Sequence, residues 1–233
     1  MGVIDPSMED PCLYMTCPPP ATWCGEIIPE GLCDHVEIFE DDELLFSFNI
    51  IKEISNADFI ANSGQTLEIL GKKVADSSVT ARSFRGDRDA IIGLATTQFN
   101  TTDIVFKGSG DGLLAVIAGR FNDNSITFKK KSADLVVFDD DVLINNATIN
   151  AGGGTDTITF MENSVIRGTN EITFGPGKDV LELPANKRGN GKIVVTDLAG
   201  NDTIKIGEQS FSGRDILKGK IDLPKYVQLK FKR

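Results

Sequence analysis

The chain has one histidine, one tryptophan and two tyrosines in 233 residues, and its first 51 residues hold no lysine or arginine. A single imidazole, His35, leaves Ser-His-Asp and Cys-His chemistry with one base, beside a proline-rich stretch where a capping or surface role suits it better. The shortage of Trp and Tyr argues against the aromatic-lined clefts that hold sugars. No run approaches the roughly 18 apolar residues needed to span a bilayer. Residues 1–12 have neither a basic n-region nor an apolar h-region. No phosphate loop, dinucleotide fingerprint or paired-histidine metal motif occurs. These absences point away from membrane insertion, from a signal-peptide route and from an enzyme.

The charge that is present is polarised. Residues 1–51 carry 11 acids and no bases, residues 52–213 carry 21 acids and 17 bases, and residues 214–233 carry 2 acids and 7 bases, so the three stretches stand at −11, −4 and +5. A pI near 4.7 points away from nonspecific nucleic-acid binding, because neutralising phosphates takes a basic face and only the last 20 residues are basic.

Six of the nine prolines and all four cysteines, Cys12, Cys17, Cys24 and Cys33, fall in the first 33 residues. Proline fixes φ and removes a backbone donor, so residues 1–44 read as an irregular, acidic arm or cap. The four thiols fit two disulfides in any of three pairings, a tetrahedral zinc site, or free buried thiols. Zinc sites usually draw on close CxxC pairs and none occurs here, so disulfides are the preferred reading, and they imply a location outside a reducing cytosol.

Beyond residue 100 the chain repeats. Asp111, Asp134, Asp156, Asp179 and Asp202 are separated by 23, 22, 23 and 23 residues, and each follows an apolar residue seven or eight places earlier: Ile104, Ile126, Ile149, Ile172 and Val195. Upstream, Asp58 after Ile51 and Asp76 after Ile69 keep the seven-residue offset, and Asp87 or Asp89 offers a looser match. Strands of three to five residues rich in Ile, Val, Thr and Phe, with Gly and Asn corners, are too short to stand alone. A unit of about 23 residues with two or three such strands stacks as a β-solenoid, rung on rung at about 4.8 Å. The fold class expected is therefore all-β: a parallel β-helix or β-roll over residues 45–213, with residues 214–233 as a basic C-terminal strand or cap. An antiparallel sandwich also has short strands, but it has no reason to hold an Asp at one phase five times.

The turns before the aspartates are rich in glycine. Gly152, Gly154, Asp156 and Ile158 match GGxGxDxUx, as do Gly175, Gly177, Asp179 and Leu181; Asp202 and Ile204 keep its second half. Over residues 103–206 the chain thus resembles the hemolysin-type calcium-binding repeats of the RTX family, although the motif here comes once per rung instead of every nine residues, and Asp134 has no glycine before it. The resemblance implies calcium held between turns by glycine carbonyls and Asp carboxylates, with Gly152, Gly154, Asp156, Gly175, Gly177, Asp179, Asp111 and Asp202 as the candidate ligands. Electrostatics supplies a separate motive: carboxylates stacked about 4.8 Å apart repel by about 3.5 kcal/mol at an effective dielectric of 20. Bound calcium relieves that; the alternative is that each Asp accepts hydrogen bonds from its own turn and faces water.

The three consecutive acids Asp139, Asp140 and Asp141 follow a strand, and paired carboxylates do hydrolyse glycosides on some solenoids, but a run of acids in a turn is ordinarily solvated. The reading that results is a non-enzymatic structural protein of a cell-surface assembly or virion, assembling with itself or docking to a larger particle. A secreted calcium-binding adhesin and a solenoid carbohydrate-active enzyme are the alternatives.

Overall fold

The structure is a computed structural model that describes residues 13–14, 35–40, 43–61, 66–83, 90–108, 110–129 and 131–230. It is a β-solenoid of about six turns with roughly 23 residues per rung. The cysteines, Asp87 and Asp89 lie outside the described residues.

Two parallel sheets make the walls. One has eight strands, and a single register runs through it: Asp58, Ser78, Asp103, Ser125, Thr148, Glu171 and Val194 are partnered in succession, at steps of 20, 25, 22, 23, 23 and 23 residues. The eighth strand, Val227–Lys230, pairs in parallel with Lys192–Thr196 after an excursion through an antiparallel strand, Gln209–Ser212, and a short helix, Gly213–Leu217. The other sheet has thirteen strands. In its early rungs long strands such as Ala90–Asn100 and Gly112–Asn122 run unbroken. In later rungs the turn at residues 139–142 splits that path, so Gly112–Asn122 pairs with both Leu135–Phe138 and Leu143–Asn145.

The corner between the walls shows why the period holds. Asn56, Asp76, Thr101, Asp123, Asn146 and Gly168 occupy it on successive rungs, all in the left-handed region with φ between 48° and 57°. Asn, Asp and Gly tolerate that conformation best, which explains the polar corners in a chain otherwise rich in β-branched residues.

Strand alternation sends every second side chain into a narrow interior. Ile104, Ile126, Ile149, Ile172 and Val195, the apolar column read from the sequence, are in register and at most 1% exposed. Beside them phenylalanines stack from rung to rung: Phe106 on Phe128 at 4.5 Å, and Phe138 on Phe160 at 4.9 Å between ring centroids. Each large side chain so buried contributes about 2 kcal/mol, and a column needs all of them because no rung has a core of its own.

Candidate functional site

The aspartate column belongs to the interior. Asp134, Val136 and Phe138 share one parity along their segment, as do Asp156, Ile158 and Phe160, and Asp179, Leu181 and Leu183, so the alternation that buries the apolar residues carries the carboxylates inward too. Asp134, Asp156, Asp179 and Asp202 are 4%, 2%, 1% and 1% exposed.

Each carboxylate brackets the rung before it. The Oδ1 atoms of Asp134, Asp156, Asp179 and Asp202 accept the backbone N–H groups of Gly112, Asp134, Asp156 and Asp179 at 2.8, 3.0, 3.0 and 3.1 Å. At this corner the side chain of one rung thus meets the amide of its predecessor. At the last rung Asp202 closes on its own turn, where Oδ2 accepts the Ala199 N–H. Asp134 Oδ2 takes the Ser132 hydroxyl at 2.8 Å. The second oxygens of Asp156 and Asp179 are buried without a partner.

That geometry corrects the expectation that the aspartates face water and serve only their own turns: the four are buried and each holds the preceding rung, while Asp134 also accepts from Ser132 and Asp202 from Ala199 within their own turns. Burial out of water disfavours the charged form. It pushes Asp134 and Asp179 up to about 6 and Asp156 up to about 7, and raises Asp202 as well, each against the lowering effect of its hydrogen bonds. The rung-to-rung repulsion anticipated from the spacing contributes, but desolvation is the larger cause.

Asp111 is not a member of the column. Register partners Leu113 with Leu135 and Leu114 with Val136, which sets Gly112 beneath Asp134 and moves Asp111 one residue out of phase. A slip of one residue reverses the face, and Asp111 is exposed, its Oδ1 accepting the Ala133 N–H at 2.8 Å. A Cβ at Gly112 would meet Phe106 Cδ1 at 2.6 Å and Phe128 Cε1 at 3.0 Å, so nothing larger than glycine fits the inward position there. Asp58 lies exposed on the outer surface of the eight-stranded sheet, and Asp76 is one of the left-handed corners.

The glycines of the motif serve close approach. Gly154 and Gly177 stack as a parallel bridge, and a Cβ on Gly177 would fall 1.9 Å from the Gly154 carbonyl oxygen. The same carbonyl accepts the Lys178 N–H at 3.2 Å, and a Cβ on Gly175 would sit 1.9 Å from the Gly152 carbonyl oxygen. Calcium takes six to eight oxygens at 2.3–2.6 Å. Asp156 and Asp179 each keep one carboxylate oxygen without a partner, and among the described residues no group of three or more His, Cys, Asp or Glu side chains is placed to hold a metal ion. The acids Asp140 and Asp141 are exposed; Asp140 accepts the Asn163 N–H and Asp141 pairs with Arg188 at 3.1 Å.

A second buried polar column was not read from the sequence. Asn124 Oδ1 accepts the Thr102 N–H at 2.8 Å and its amide donates to the Phe99 carbonyl, while Asn170 Oδ1 accepts the Ala147 N–H at 2.9 Å and its amide donates to the Arg167 carbonyl. These asparagines do at one corner what the aspartates do at another. The available signal was their place directly after the left-handed corner in Asn124 and two residues after it in Asn170.

No family model matches the chain, and neither the curated proteins nor the solved structures give a match. No helix among the described residues is long and apolar enough to cross a membrane.

Proposed function

We propose that the protein is a non-enzymatic structural component of an extracellular assembly, at a cell surface or on a virion, in which the solenoid serves as a stiff body. The observation that carries this reading is the bracket column: its repeated chemical groups, the four buried carboxylates, are turned inward and engaged in holding rung to rung. Immunogold electron microscopy of producing cells and of released particles tests it. Label in a regular pattern on an appendage or particle surface is the expected result, and label confined to the cell interior would overturn it.

Calcium enters this reading as a stabiliser of the column. Its ligands would include the unpartnered oxygens of Asp156 and Asp179, and it would supply the charge that burial otherwise demands from a proton. A ligand bound only by the folded state raises the melting temperature by mass action. A calcium-dependent increase that Asp156→Ala and Asp179→Ala abolish is the expected result, and a melting temperature indifferent to calcium and chelator would remove the metal from the account. The disulfides expected of Cys12, Cys17, Cys24 and Cys33 belong to the same extracellular reading, and counting thiols before and after reduction tests them.

A further inference from the structure

The two walls differ on their outer faces. Strands of the eight-stranded sheet put apolar residues inward and mostly polar ones outward, and that outer face carries exposed Arg82, Asp103, Lys107 and Lys129. The thirteen-stranded sheet does not alternate over its middle rungs. Residues 113–117 read Leu, Leu, Ala, Val, Ile, and residues 135–138 read Leu, Val, Val, Phe. Their inward members Leu114, Val116, Val136 and Phe138 are at most 2% exposed, whereas Leu113, Ala115, Leu135 and Val137 point outward and stay partly exposed, and Ile117 is 48% exposed. Near-continuous apolar runs are the mark of a parallel strand covered on both faces. Here the core covers one face and the other is open.

The outward positions stack in register. Ile91, Leu113, Leu135, Thr157 and Val180 form one column, and Gly93, Ala115, Val137 and Thr159 form the next. None of them is charged. Charge enters only at the two ends of the second column, with Glu68 one rung before Gly93 and the Glu182–Lys205 ion pair after Thr159. An apolar centre inside a polar rim is the anatomy of a protein interface, and the centre here is the rung of Leu135 and Val137. The face is also large enough. From the rung of Thr66 to that of Thr203 it is about 30 Å long at 4.8 Å per step, and Ile91–Ala95 spans about 17 Å at 3.3 Å per residue. One copy therefore offers about 500 Å² and two offer about 1,000 Å² before side-chain relief is counted, which is the area a specific interface needs.

We propose that this face binds a second copy of this chain, the two thirteen-stranded sheets packing face to face about a two-fold axis that runs along the strand direction and passes between the two Val137 side chains. The contact is isologous, each copy using the same patch, so it closes at a dimer and leaves the ends of both stacks free. That axis sets Glu68 of one copy at the Glu182–Lys205 end of the other, whereas an axis along the stack would set Glu68 against Glu68, which repels. The proposal rests on the structural reading above and names its partner: the stiff body is a pair of solenoids.

Val137 tests the axis, because the residue there meets its own copy. In sedimentation velocity of the full chain, the unaltered protein runs at twice the 25.2 kDa of one chain. Val137→Glu and Val137→Lys each bring like charges together and raise the dissociation constant at least tenfold, and an equimolar mixture of the two restores the dimer. Thr127→Glu, an outward change on the eight-stranded sheet, leaves the dimer unaffected. Circular dichroism and melting temperature establish that the variants are folded; should either Val137 variant not fold, Thr157→Lys, at a position already polar, replaces it with the same tenfold loss expected. An unaltered protein that stays monomeric at high concentration overturns the proposal. So does a dimer that the folded variants keep, or a mixture of folded Val137→Glu and Val137→Lys that stays monomeric. A monomer that immunogold places regularly on a particle would leave the structural reading standing and remove only this interface; a dimer confined to the cell interior would do the reverse.

Discussion

Replacing Asp156 by asparagine isolates the electrostatics of the bracket column. The side chain is 2% exposed, its Oδ1 holds the Asp134 amide, its Oδ2 has no partner, and burial pushes its carboxyl from 3.8 up to about 7. Because the folded-state value lies above the unfolded one, the folded chain binds the proton more tightly, and the resulting stability is fully present below about pH 3.8 and lost as pH rises through about 7. A shift of about three units at about 1.4 kcal/mol each makes the loss roughly 4 kcal/mol between pH 4 and pH 8. The Asp156→Asn side chain keeps the Oδ1 acceptor, places an N–H group where the protonated acid has its hydroxyl, and does not titrate. Urea unfolding followed by circular dichroism, in chelator and at unit steps from pH 4 to 8, reads the difference. The variant should equal or trail the unaltered protein at pH 4 and gain on it by about 4 kcal/mol by pH 8. A constant offset, such as imperfect placement of the new amide, cancels in that comparison. Parallel stability curves for the two proteins, or an unaltered chain that strengthens between pH 4 and 7 relative to the Asp156→Asn variant, would refute the claim that this carboxyl is held neutral by burial.

Three further outcomes follow from the packing. Gly177→Ala places a methyl 1.9 Å from the Gly154 carbonyl oxygen and should destabilise by about 3 kcal/mol in the same urea assay. Thr101 is a β-branched residue at φ 49° on an exposed corner, so Thr101→Asn, which suits the left-handed region, should stabilise by about 1 kcal/mol and raise the melting temperature by about 2–4 °C. Asn170→Ala strips the acceptor from the buried Ala147 amide and should cost about 2 kcal/mol, with amide hydrogen exchange at Ala147 accelerating.

The period and the stacked architecture were legible because one register demand recurs: the apolar column from Ile104 to Val195 and the aspartates from Asp134 to Asp202 recur at the spacing that the strand pairing has. Which way the aspartates face was legible only through parity. Asp156 stands two residues before Ile158 and so shares its inward face, whereas Asp111 stands three before the buried Leu114 and does not. Spacing alone admits Asp111 because a one-residue slip is small against a step of 23. What excludes it is steric: the rings of Phe106 and Phe128 fill the place where an inward side chain would go, and that contact arises only when successive rungs are superposed. The asparagine column was hidden for the opposite reason. Asn is so common at corners that its inward members look like turn residues, and only the partners of Asn124 and Asn170 distinguish them. The C-terminal strand was readable from its alternation, but its parallel seat on Lys192–Thr196 depends on the long excursion through residues 197–226, for which the period offers no guide.

The brackets also give the molecule a direction in time. In all four, the donor belongs to the earlier rung and the acceptor to the one that follows it in the chain. A ribosome adding about 5–20 residues per second takes on the order of one to five seconds to supply a rung. For that interval the newest corner amide waits unsatisfied until the next carboxyl emerges and closes over it. The nascent rod therefore grows with its newest corner amide open beside that rung's unpaired strand edges, and the series of brackets stops at Asp202, beyond which the described residues hold no further one and the carboxyl turns back to Ala199.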